Sequence, residues 1–308
     1  VGAILSAHLL QAGHIVLMVD AWKEHLERIR VNGLRITGRE EMAVRPRHLF
    51  ESVGALGDAT LDYVFVCTKA CALDSLLNEM SSEIKSSPAV FVSFQNGIDT
   101  EQILAEQIGR RRVLRGVVSY AGVLLDSGEV RETFFDPPNY IGWLENDGEG
   151  ACRELADLLS ASGLLTEATA DIQKFVWRKA ILNSCTMSIA AITGMNIQEM
   201  INFPPTAGLV ELLLNESIAV AAAYGFDFGA EFVEQVKKFN KRAGPHRPSM
   251  LVDIEKGRKT ENFFLMHRIA DYAERRGVPA PIHRALAVLI DALEARSMQV
   301  RNYHRAAE

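Results

Sequence analysis

The sequence of 308 residues lacks several features that mark particular classes of protein. It holds no run of about 18 consecutive apolar residues, the length that a membrane-spanning helix needs. No positively charged segment precedes an apolar one at its start, as a secretory signal would require. We therefore expect a cytoplasmic protein without a membrane span.

An excess of positive charge is also missing, because the net charge is −6. Two short basic stretches, residues 109–112 and 237–242, lie beside a turn and on an amphipathic helix pattern. Stretches of this kind are typical of a solvated surface. The composition therefore gives no reason to expect a nucleic-acid partner.

Cysteine is scarce, and its four positions are Cys67, Cys71, Cys152 and Cys185. Their spacing matches neither a zinc site nor a redox CxxC motif, and no histidine pair accompanies them. We expect four reduced thiols and no metal site.

What the sequence does contain is an alternation of strand and helix patterns over its first half. Apolar runs predict strands at 15–19, 61–67, 89–94 and 113–118. Helical periodicity predicts helices at 22–32, 71–84, 99–108 and 150–162. Residues 123–133 and 139–144 are predicted strands as well, antiparallel to each other because the link between them is short and turn-like. The alternation predicts a parallel sheet with helices on both faces.

The second half contains helical patterns only, from about residue 171 onward. Predicted helices cover residues 173–193, 196–201, 204–224, 230–242, 249–256, 260–275 and 282–296. We therefore expect two domains, an α/β domain at 1–168 and an all-helical domain at 169–308. Because no long linker separates them, we expect the domains to pack together around a cleft.

The start of the chain fits a dinucleotide-binding fingerprint, in which G-x-G-x-x-G connects a strand to a helix. If Gly2 is the third glycine, then the following helix, the turn at Gly13 and a strand ending in Asp20 fall where the motif needs them. The first strand and the first two glycines are then absent from the sequence. The alternative is that Gly2 is an ordinary glycine of a terminal segment and that the chain binds no dinucleotide.

Asp20 follows Gly2 at about the 20-residue spacing at which an acidic residue binds the adenosine ribose. A carboxylate there accepts hydrogen bonds from a free 2′-hydroxyl and repels a 2′-phosphate. The next residues, Ala21 and Trp22, bring no guanidinium, and Lys23 is the nearest cation. The sequence therefore favours NADH over NADPH.

Polar side chains suited to chemistry occur in two further segments. Asn96, in FQNG, follows the third predicted strand, where the carboxyl ends of parallel strands line a ligand crevice. Asn-Gly is also a common turn.

In WRKAILN, Lys179 and Asn183 are four residues apart and share an otherwise apolar helix face. Partial burial would suit Lys179 to deliver a proton, whereas a structural lysine would extend its ammonium to solvent.

The segment RPSMLVDIEKGRKTE holds a third group of polar side chains. Ser249 and Asp253 lie one helical turn apart, and Thr260 and Glu261 begin the next predicted helix. Capping by Thr260, with Glu261 in the first turn, is a sufficient structural explanation for the second pair.

Together with GVPAP at 277–281, these segments resemble the ketopantoate reductase family in their order and separation. The resemblance covers nearly the whole chain. It implies an N-terminal Rossmann-type parallel-sheet domain and an all-α domain like the C-terminal domain of 6-phosphogluconate dehydrogenase. It also implies the NAD(P)H-dependent reduction of 2-dehydropantoate, a small 2-oxo acid, in pantothenate biosynthesis.

The resemblance implies roles for individual residues. Lys179 corresponds to the family's general acid and Glu261 to its active-site glutamate. Lys69 corresponds to a lysine near the junction of cofactor and substrate. The substrate-contacting positions correspond to Asn96, Asn183 and Ser249.

The chain departs from the family pattern at three places. Met187 stands four residues after Asn183, where the family often has a second asparagine. Met266 and His267 stand where the family often has Asn-Gly. Asp20 stands where relatives commonly carry a nearby arginine for NADPH. A methionine facing the substrate would suit a more apolar 2-oxo acid; otherwise Met187 packs in the core.

Two other functions stay open. The first is an NAD-dependent D-2-hydroxyacid dehydrogenase of the mandelate type with the same fold, which Asp20 and Met187 favour. The second is a dinucleotide-binding regulator without turnover, which the presence of Lys179 and Glu261 opposes. The sequence fixes neither the 2-oxo acid nor the oligomeric state. A homodimer is one expectation, with the apolar helix pattern at 209–223 as either interface or core.

Overall fold

The chain forms two compact units. The computed structural model describes residues 1–307, and for Asn146 and residues 302–307 it describes the backbone alone. The N-terminal unit comprises Val1–Thr68, Ala72–Gln95 and Asp99–Ile172. The C-terminal unit comprises Lys69–Cys71, Asn96–Ile98 and the chain from Gln173 onward.

The N-terminal unit differs from the predicted domain of residues 1–168 at its end and in two short segments. Thr169 N–H donates to Ile141 O at 2.8 Å, which ties the chain beyond residue 168 to the sheet. Ile172 packs so closely on Gly142 that a Cβ on this glycine would lie 2.4 Å from the Ile172 Cβ. The unit therefore continues to Ile172, and Lys69–Cys71 and Asn96–Ile98 belong to the C-terminal unit.

Strands and helices alternate along the N-terminal unit, as the sequence predicts. The strands are β1 (Leu17–Val19), β2 (Leu34–Gly38), β3 (Met42–Val44), β4 (His48–Phe50), β5 (Tyr63–Val66), β6 (Val90–Ser93), β7 (Val113–Val117), β8 (Tyr120–Asp126), β9 (Glu129–Phe135), β10 (Asn139–Trp143) and β11 (Thr166–Ala168). The α-helices are α1 (Gly2–Gln11), α2 (Lys23–Asn32), α3 (Leu73–Glu79), α4 (Ser82–Ser86), α5 (Thr100–Ile108) and α6 (Glu149–Ala161).

A five-stranded sheet in the order β11-β10-β7-β6-β5 forms the centre of this unit. Strands β5, β6 and β7 are parallel to one another, which confirms the predicted Rossmann-like parallel sheet. Successive side chains of a strand point to opposite faces. Accordingly, Phe91 packs in one hydrophobic cluster with residues of α3 to α5, and Val92 packs in another with residues of α1 and α6.

The predicted pairing of 123–133 with 139–144 is wrong. Strands β8 and β9 form a hairpin with each other inside a four-stranded sheet, β3-β2-β9-β8, whereas β10 pairs with β7 and β11. Pro137 and Pro138 lack the N–H groups that would extend a ladder between β9 and β10. Instead, Asn139 N–H donates to Leu165 O at 2.8 Å and leads the chain into the five-stranded sheet.

The C-terminal unit is helical, as predicted. Its α-helices are α7 (Ile172–Thr193), α8 (Ile197–Asn202), α9 (Pro204–Ala222), α10 (Phe232–Ala243), α11 (Ser249–Glu255), α12 (Arg268–Arg276) and α13 (Pro281–Ala307). A π-helix at Phe263–His267 precedes α12, so the predicted helix at 260–275 does not start as a regular α-helix. Among the described residues, no helix combines the length and the apolar character that crossing a bilayer requires.

Trp177 anchors α7 in an aromatic cluster of the C-terminal unit. Its ring centroid lies 5.1 Å from that of Tyr272 in an edge contact, 5.8 Å from that of Phe226 and 6.2 Å from that of Tyr224. Trp177 is one of the largest fully buried side chains of the protein. The cluster therefore fixes which face of α7 is turned into the core.

A buried polar network joins α9 to the first turn of α13. His283 Nε2 lies 2.9 Å from Ser217 Oγ, and His283 Nδ1 lies 2.8 Å from Glu216 Oε2. The Glu216 carboxylate also accepts backbone N–H groups of Ile282 and His283, which a helix start leaves without internal partners. Since Ser217 and His283 are fully buried, this Ser–His–Glu arrangement has no access to a substrate and holds the helices together.

We predict that Glu216→Gln destabilises the protein at neutral pH and that the difference shrinks in acid. Burial raises the pKa of Glu216, but the hydrogen bonds from His283 and Ile282 outweigh burial and lower this pKa below its ordinary value of 4.5. The ionised carboxylate therefore contributes stability above that pH, and the contribution is lost as the pH falls through the lower folded-state pKa. Urea unfolding should show a loss of about 1–3 kcal/mol at pH 7.

A matched control is Glu211→Gln, because Glu211 lies on the same helix but is half exposed and pairs with Lys237 on the surface. We expect this variant to unfold like the wild type at every pH. Equal destabilisation of the two variants, or a Glu216→Gln deficit that does not shrink as the pH falls, would contradict the prediction.

Candidate active site

The segment that carries Asn96 packs directly against the π-helix. Ile98 N–H donates to Phe264 O at 2.9 Å. Gly97 has a φ of +106°, and a Cβ on it would lie 2.5 Å from the Phe264 Cβ. Only glycine combines this backbone conformation with such a close approach. The chain therefore bends at Asn96 and Gly97, and this bend holds Asn96 beside the residues that precede the π-helix.

A buried carboxylate, that of Glu261, lies at the centre of this arrangement. Glu261 is only 4% exposed. Asn96 Nδ2 donates to its Oε2 at 3.2 Å, and Ala70 N–H donates to its Oε1 at 3.4 Å. The structure thus brings together two residues that the sequence marks independently, Asn96 and Glu261.

Lys69 supplies positive charge beside this carboxylate. Its Nζ lies 2.5 Å from Oδ2 of Asp253, whose side chain is 6% exposed. Burial lowers the pKa of Lys69, but the carboxylates of Glu261 and Asp253 outweigh burial, so the pKa is raised. Lys69 therefore stays protonated at neutral pH, and its charge compensates the two buried carboxylates.

Asp253 is a residue whose part in the cluster the sequence did not identify. It lies on α11 one turn after Ser249 and is buried, as Met250 and Leu251 of the same helix are. An acidic residue inside the apolar pattern of a helix was the available signal, because a buried carboxylate requires a partner. Ser249 is half buried at the first position of α11, after Pro248.

Lys179 and Asn183 lie on α7, and both are half buried. Two residues along an α-helix correspond to a rotation of about 200°, so Lys179 lies on the side of the helix opposite Trp177. One further turn along, Met187 is 9% exposed, and Met266 in the π-helix is fully buried. Of the two interpretations of Met187, the structure favours core packing.

Gly2 and Asp20 lie in the N-terminal unit. Gly2 begins α1, and a Cβ on it would lie 3.2 Å from the Cβ of Cys67, just after β5. The third glycine of a dinucleotide fingerprint has this function, close packing of helix on strand. Asp20 is exposed after β1, and its Oδ1 accepts Trp22 N–H at 2.8 Å. Lys23 Nζ lies 2.6 Å from Glu51 Oε2, so its charge has a partner on the surface.

The four cysteines are free thiols. Burial raises the pKa of Cys67 to about 11 and those of Cys152 and Cys185 to about 12. Burial, followed by the charge of Glu261, also raises the pKa of Cys71. All four thiols therefore stay protonated at neutral pH and are poor nucleophiles. Among the described residues, no group of three or more His, Cys, Asp or Glu side chains is arranged to hold a metal ion.

Comparison with known sequences finds relatives over nearly the whole chain. Two family models match it: ketopantoate reductase PanE/ApbA at residues 1–146, and ketopantoate reductase PanE/ApbA C terminal at residues 171–294. A 2-dehydropantoate 2-reductase of Archaeoglobus fulgidus is 28% identical over 96% of this chain and 95% of its own length. One of Streptococcus pyogenes is 26% identical over 91% of this chain and 90% of its own length.

Solved structures share the fold. A D-mandelate dehydrogenase in a ternary structure with NADH and anilino(oxo)acetate has a TM-score of 0.85 and 24% identity, with 96% of each chain covered. A PanE/ApbA family ketopantoate reductase from Ralstonia eutropha has a TM-score of 0.83 and 22% identity, with 95% of each chain covered. At these identities the likeness shows the fold alone.

We predict that Gly97→Ala destabilises the protein more than Gly109→Ala does. Both glycines have a positive φ, +106° and +93°, but a Cβ at Gly109 would meet nothing within 4 Å. The two variants share the backbone strain, so their difference reports the clash with Phe264, about 1–3 kcal/mol. Urea unfolding of both variants measures this difference, and equal losses would contradict the close packing of Gly97 on Phe264.

Proposed function

The chain belongs to the ketopantoate reductase family, and we propose that it reduces the C2 carbonyl of 2-dehydropantoate with NAD(P)H as the reductant. The observation that carries the proposal is the contact of Asn96 with the buried Glu261 carboxylate, beside the Lys69–Asp253 ion pair. Three of these four residues lie at positions where the family motifs place cofactor- and substrate-binding or catalytic groups. The fourth, Asp253, keeps Lys69 charged and in place.

Lys179 is the proton donor of the proposed reaction. When bound, the nicotinamide cofactor supplies a hydride to the carbonyl carbon. Lys179 delivers a proton to the carbonyl oxygen, and its ammonium stabilises the alkoxide as it develops. One hydride and one proton convert the 2-oxo acid into a 2-hydroxy acid, and the Lys179 amine then recovers its proton from solvent.

Polar side chains of α7, α11 and the segments beside Glu261 orient the substrate in the proposed reaction. Asn183 lies one turn further along α7, and Ser249 lies one turn before Asp253 on α11. Asn96 and Glu261 orient the substrate hydroxyl or the Lys179 ammonium. Lys69, protonated beside the carboxylates of Glu261 and Asp253, supplies N–H donors at the junction of substrate and cofactor.

The N-terminal unit fits a dinucleotide. The start of α1 offers backbone N–H groups to a pyrophosphate, and a Cβ at Gly2 would lie 3.2 Å from the Cys67 Cβ, a tighter contact than a side chain usually makes. Asp20 accepts hydrogen bonds from the adenosine ribose. Since Lys23 is paired with Glu51, its charge is partly compensated and favours a 2′-phosphate less than an unpaired lysine would. This arrangement favours NADH.

A second candidate is an NAD-dependent D-2-hydroxyacid dehydrogenase of the mandelate type. The preference for NADH argued from Asp20 supports it, and so does the likeness to D-mandelate dehydrogenase, which was solved with NADH. A panel containing 2-dehydropantoate and phenylglyoxylate separates the two activities. Cofactor binding without turnover of any 2-oxo acid would instead indicate a dinucleotide-binding regulator.

We predict that the protein oxidises NADH in the presence of 2-dehydropantoate and that Lys179→Ala lowers kcat by about 10²–10⁴-fold, the usual contribution of a general acid. Lys174→Ala is the matched control, because Lys174 is an exposed lysine on the same helix. Initial rates followed at 340 nm measure both variants. Near-wild-type turnover by Lys179→Ala would remove Lys179 from the mechanism.

We predict that Asp20→Asn shifts the cofactor preference toward NADPH. The substitution keeps an acceptor for the ribose hydroxyl but removes the negative charge that repels a 2′-phosphate. The ratio of kcat/KM for NADH to that for NADPH should fall by about tenfold, which corresponds to about 1.4 kcal/mol. Glu51→Gln, which leaves Lys23 without its carboxylate partner, should shift the ratio in the same direction. An unchanged ratio in both variants would show that neither position meets the ribose.

A further inference from the structure

One helix, α13, binds the residues on both sides of Glu261, a segment that we call the Glu261 turn (residues 260–262). On the N-terminal side, Glu294 Oε2 accepts two hydrogen bonds from Thr260, one from its backbone N–H and one from its hydroxyl, each at 2.7 Å. Thr260 Oγ1 in turn accepts Asn262 N–H at 3.2 Å. The residue before Glu261 is thereby fixed in both its backbone and its side chain.

On the C-terminal side, α13 binds Asn262 and His267. Asp291 Oδ1 accepts Asn262 Nδ2 at 2.7 Å, and the same amide donates to Ala287 O at 2.9 Å. Asp291 Oδ2 lies 2.7 Å from His267 Nε2, at the end of the π-helix. Asp291 therefore holds two residues on this side of Glu261, Asn262 and His267.

The groups on α13 share one face of the helix. Residues 287, 291 and 294 follow the spacing of four and three that places side chains in one stripe. They contact residues 260, 262 and 267 on either side of Glu261. The Glu261 carboxylate itself faces Asn96 and Ala70. This face of α13 therefore fixes the backbone on both sides of Glu261 and does not contact the Glu261 carboxylate through these groups.

Burial of the turn makes this anchoring effective. Thr260 and Glu261 are each 4% exposed, and Asn262 is 2% exposed. Glu294 is half buried, whereas the Asp291 side chain is 53% exposed. Because hydrogen bonds in a less exposed setting are screened less by water, Glu294 is the stronger of the two anchors.

We propose that Glu294 and Asp291 are positioning residues that set the orientation of the Glu261 carboxylate. The proposal rests on the proposed reductase function, since it assumes that Glu261 serves that reaction. An error of about 1 Å in the placement of a catalytic group costs about 10²-fold in rate. Loss of Glu294 therefore lowers kcat more than it raises KM.

The kinetic test compares Glu294→Ala with Glu294→Gln. The alanine variant loses the acceptor for both Thr260 donors, whereas the glutamine amide oxygen can still accept them. We expect kcat to fall by about 10–100-fold in Glu294→Ala, by a smaller factor in Asp291→Ala, and to stay within about threefold of wild type in Glu294→Gln. Rescue by glutamine separates hydrogen bonding from charge.

Two controls separate positioning from loss of stability. Glu274→Ala removes an exposed carboxylate that pairs with Arg284 of α13 but does not contact the turn. Glu216→Gln removes a buried interaction elsewhere in the same unit. Both should retain wild-type kcat when assayed well below their unfolding temperatures.

Amide hydrogen exchange gives a readout that does not depend on turnover. In Glu294→Ala, peptides containing Thr260 and Ala70 should lose protection, since one amide loses its acceptor and the other loses a correctly placed Glu261. If the wild type reduces no 2-oxo acid but these peptides respond, the reductase function fails and the positioning role stands. If kcat and exchange in Glu294→Ala both match those of Glu274→Ala, the positioning role is wrong.

Discussion

The buried carboxylate of Glu261 determines the arrangement of the residues around it. Moving a carboxylate out of water costs several kcal/mol unless hydrogen bonds and opposite charge compensate. Here the compensation comes from Asn96, the backbone N–H of Ala70 and the ammonium of Lys69. All three lie far from Glu261 in sequence, in the segments that follow β5 and β6. Because the Glu261 carboxylate needs these partners, Lys69–Cys71 and Asn96–Ile98 belong to the C-terminal unit.

The elements that the sequence predicted well are those whose pattern repeats several times. Helices such as α7 and α9 span 22 and 19 residues, which is enough for a periodic signal. Strands β3 and β4 have three residues each and offer no period to detect. The sequence also could not predict that β9 pairs with β8 and β2 while β10 pairs with β7 and β11. Strand pairing depends on contacts between distant segments, which local spacing does not encode.

The same distinction applies to the site. Asn96 could be marked from the sequence because it follows a predicted strand, and Glu261 because its segment resembles a motif of the ketopantoate reductase family. The partners of Asp253, Asp291 and Glu294 could not be predicted. Asp253 carries the signal of an acidic residue inside an apolar helix pattern, whereas Asp291 and Glu294 have the appearance of solvated surface acids. Their contacts join positions 184, 29 and 34 residues apart, respectively. What distinguishes them from ordinary surface acids is the partner, and only the structure supplies the partner.

Packing of α7 in the core sets the side of the helix on which Lys179 lies. The aromatic cluster around Trp177 holds one side of α7 in the core, and Lys179 follows two residues later on the opposite side. At a half-buried position the methylene stem can lie along apolar surface while the ammonium stays near water. A proton donor has to be protonated again after every turnover, and a fully buried amine would have no route to solvent. Partial burial therefore suits Lys179 to proton delivery better than a place in the core would, because it permits both the transfer and the recovery of the proton.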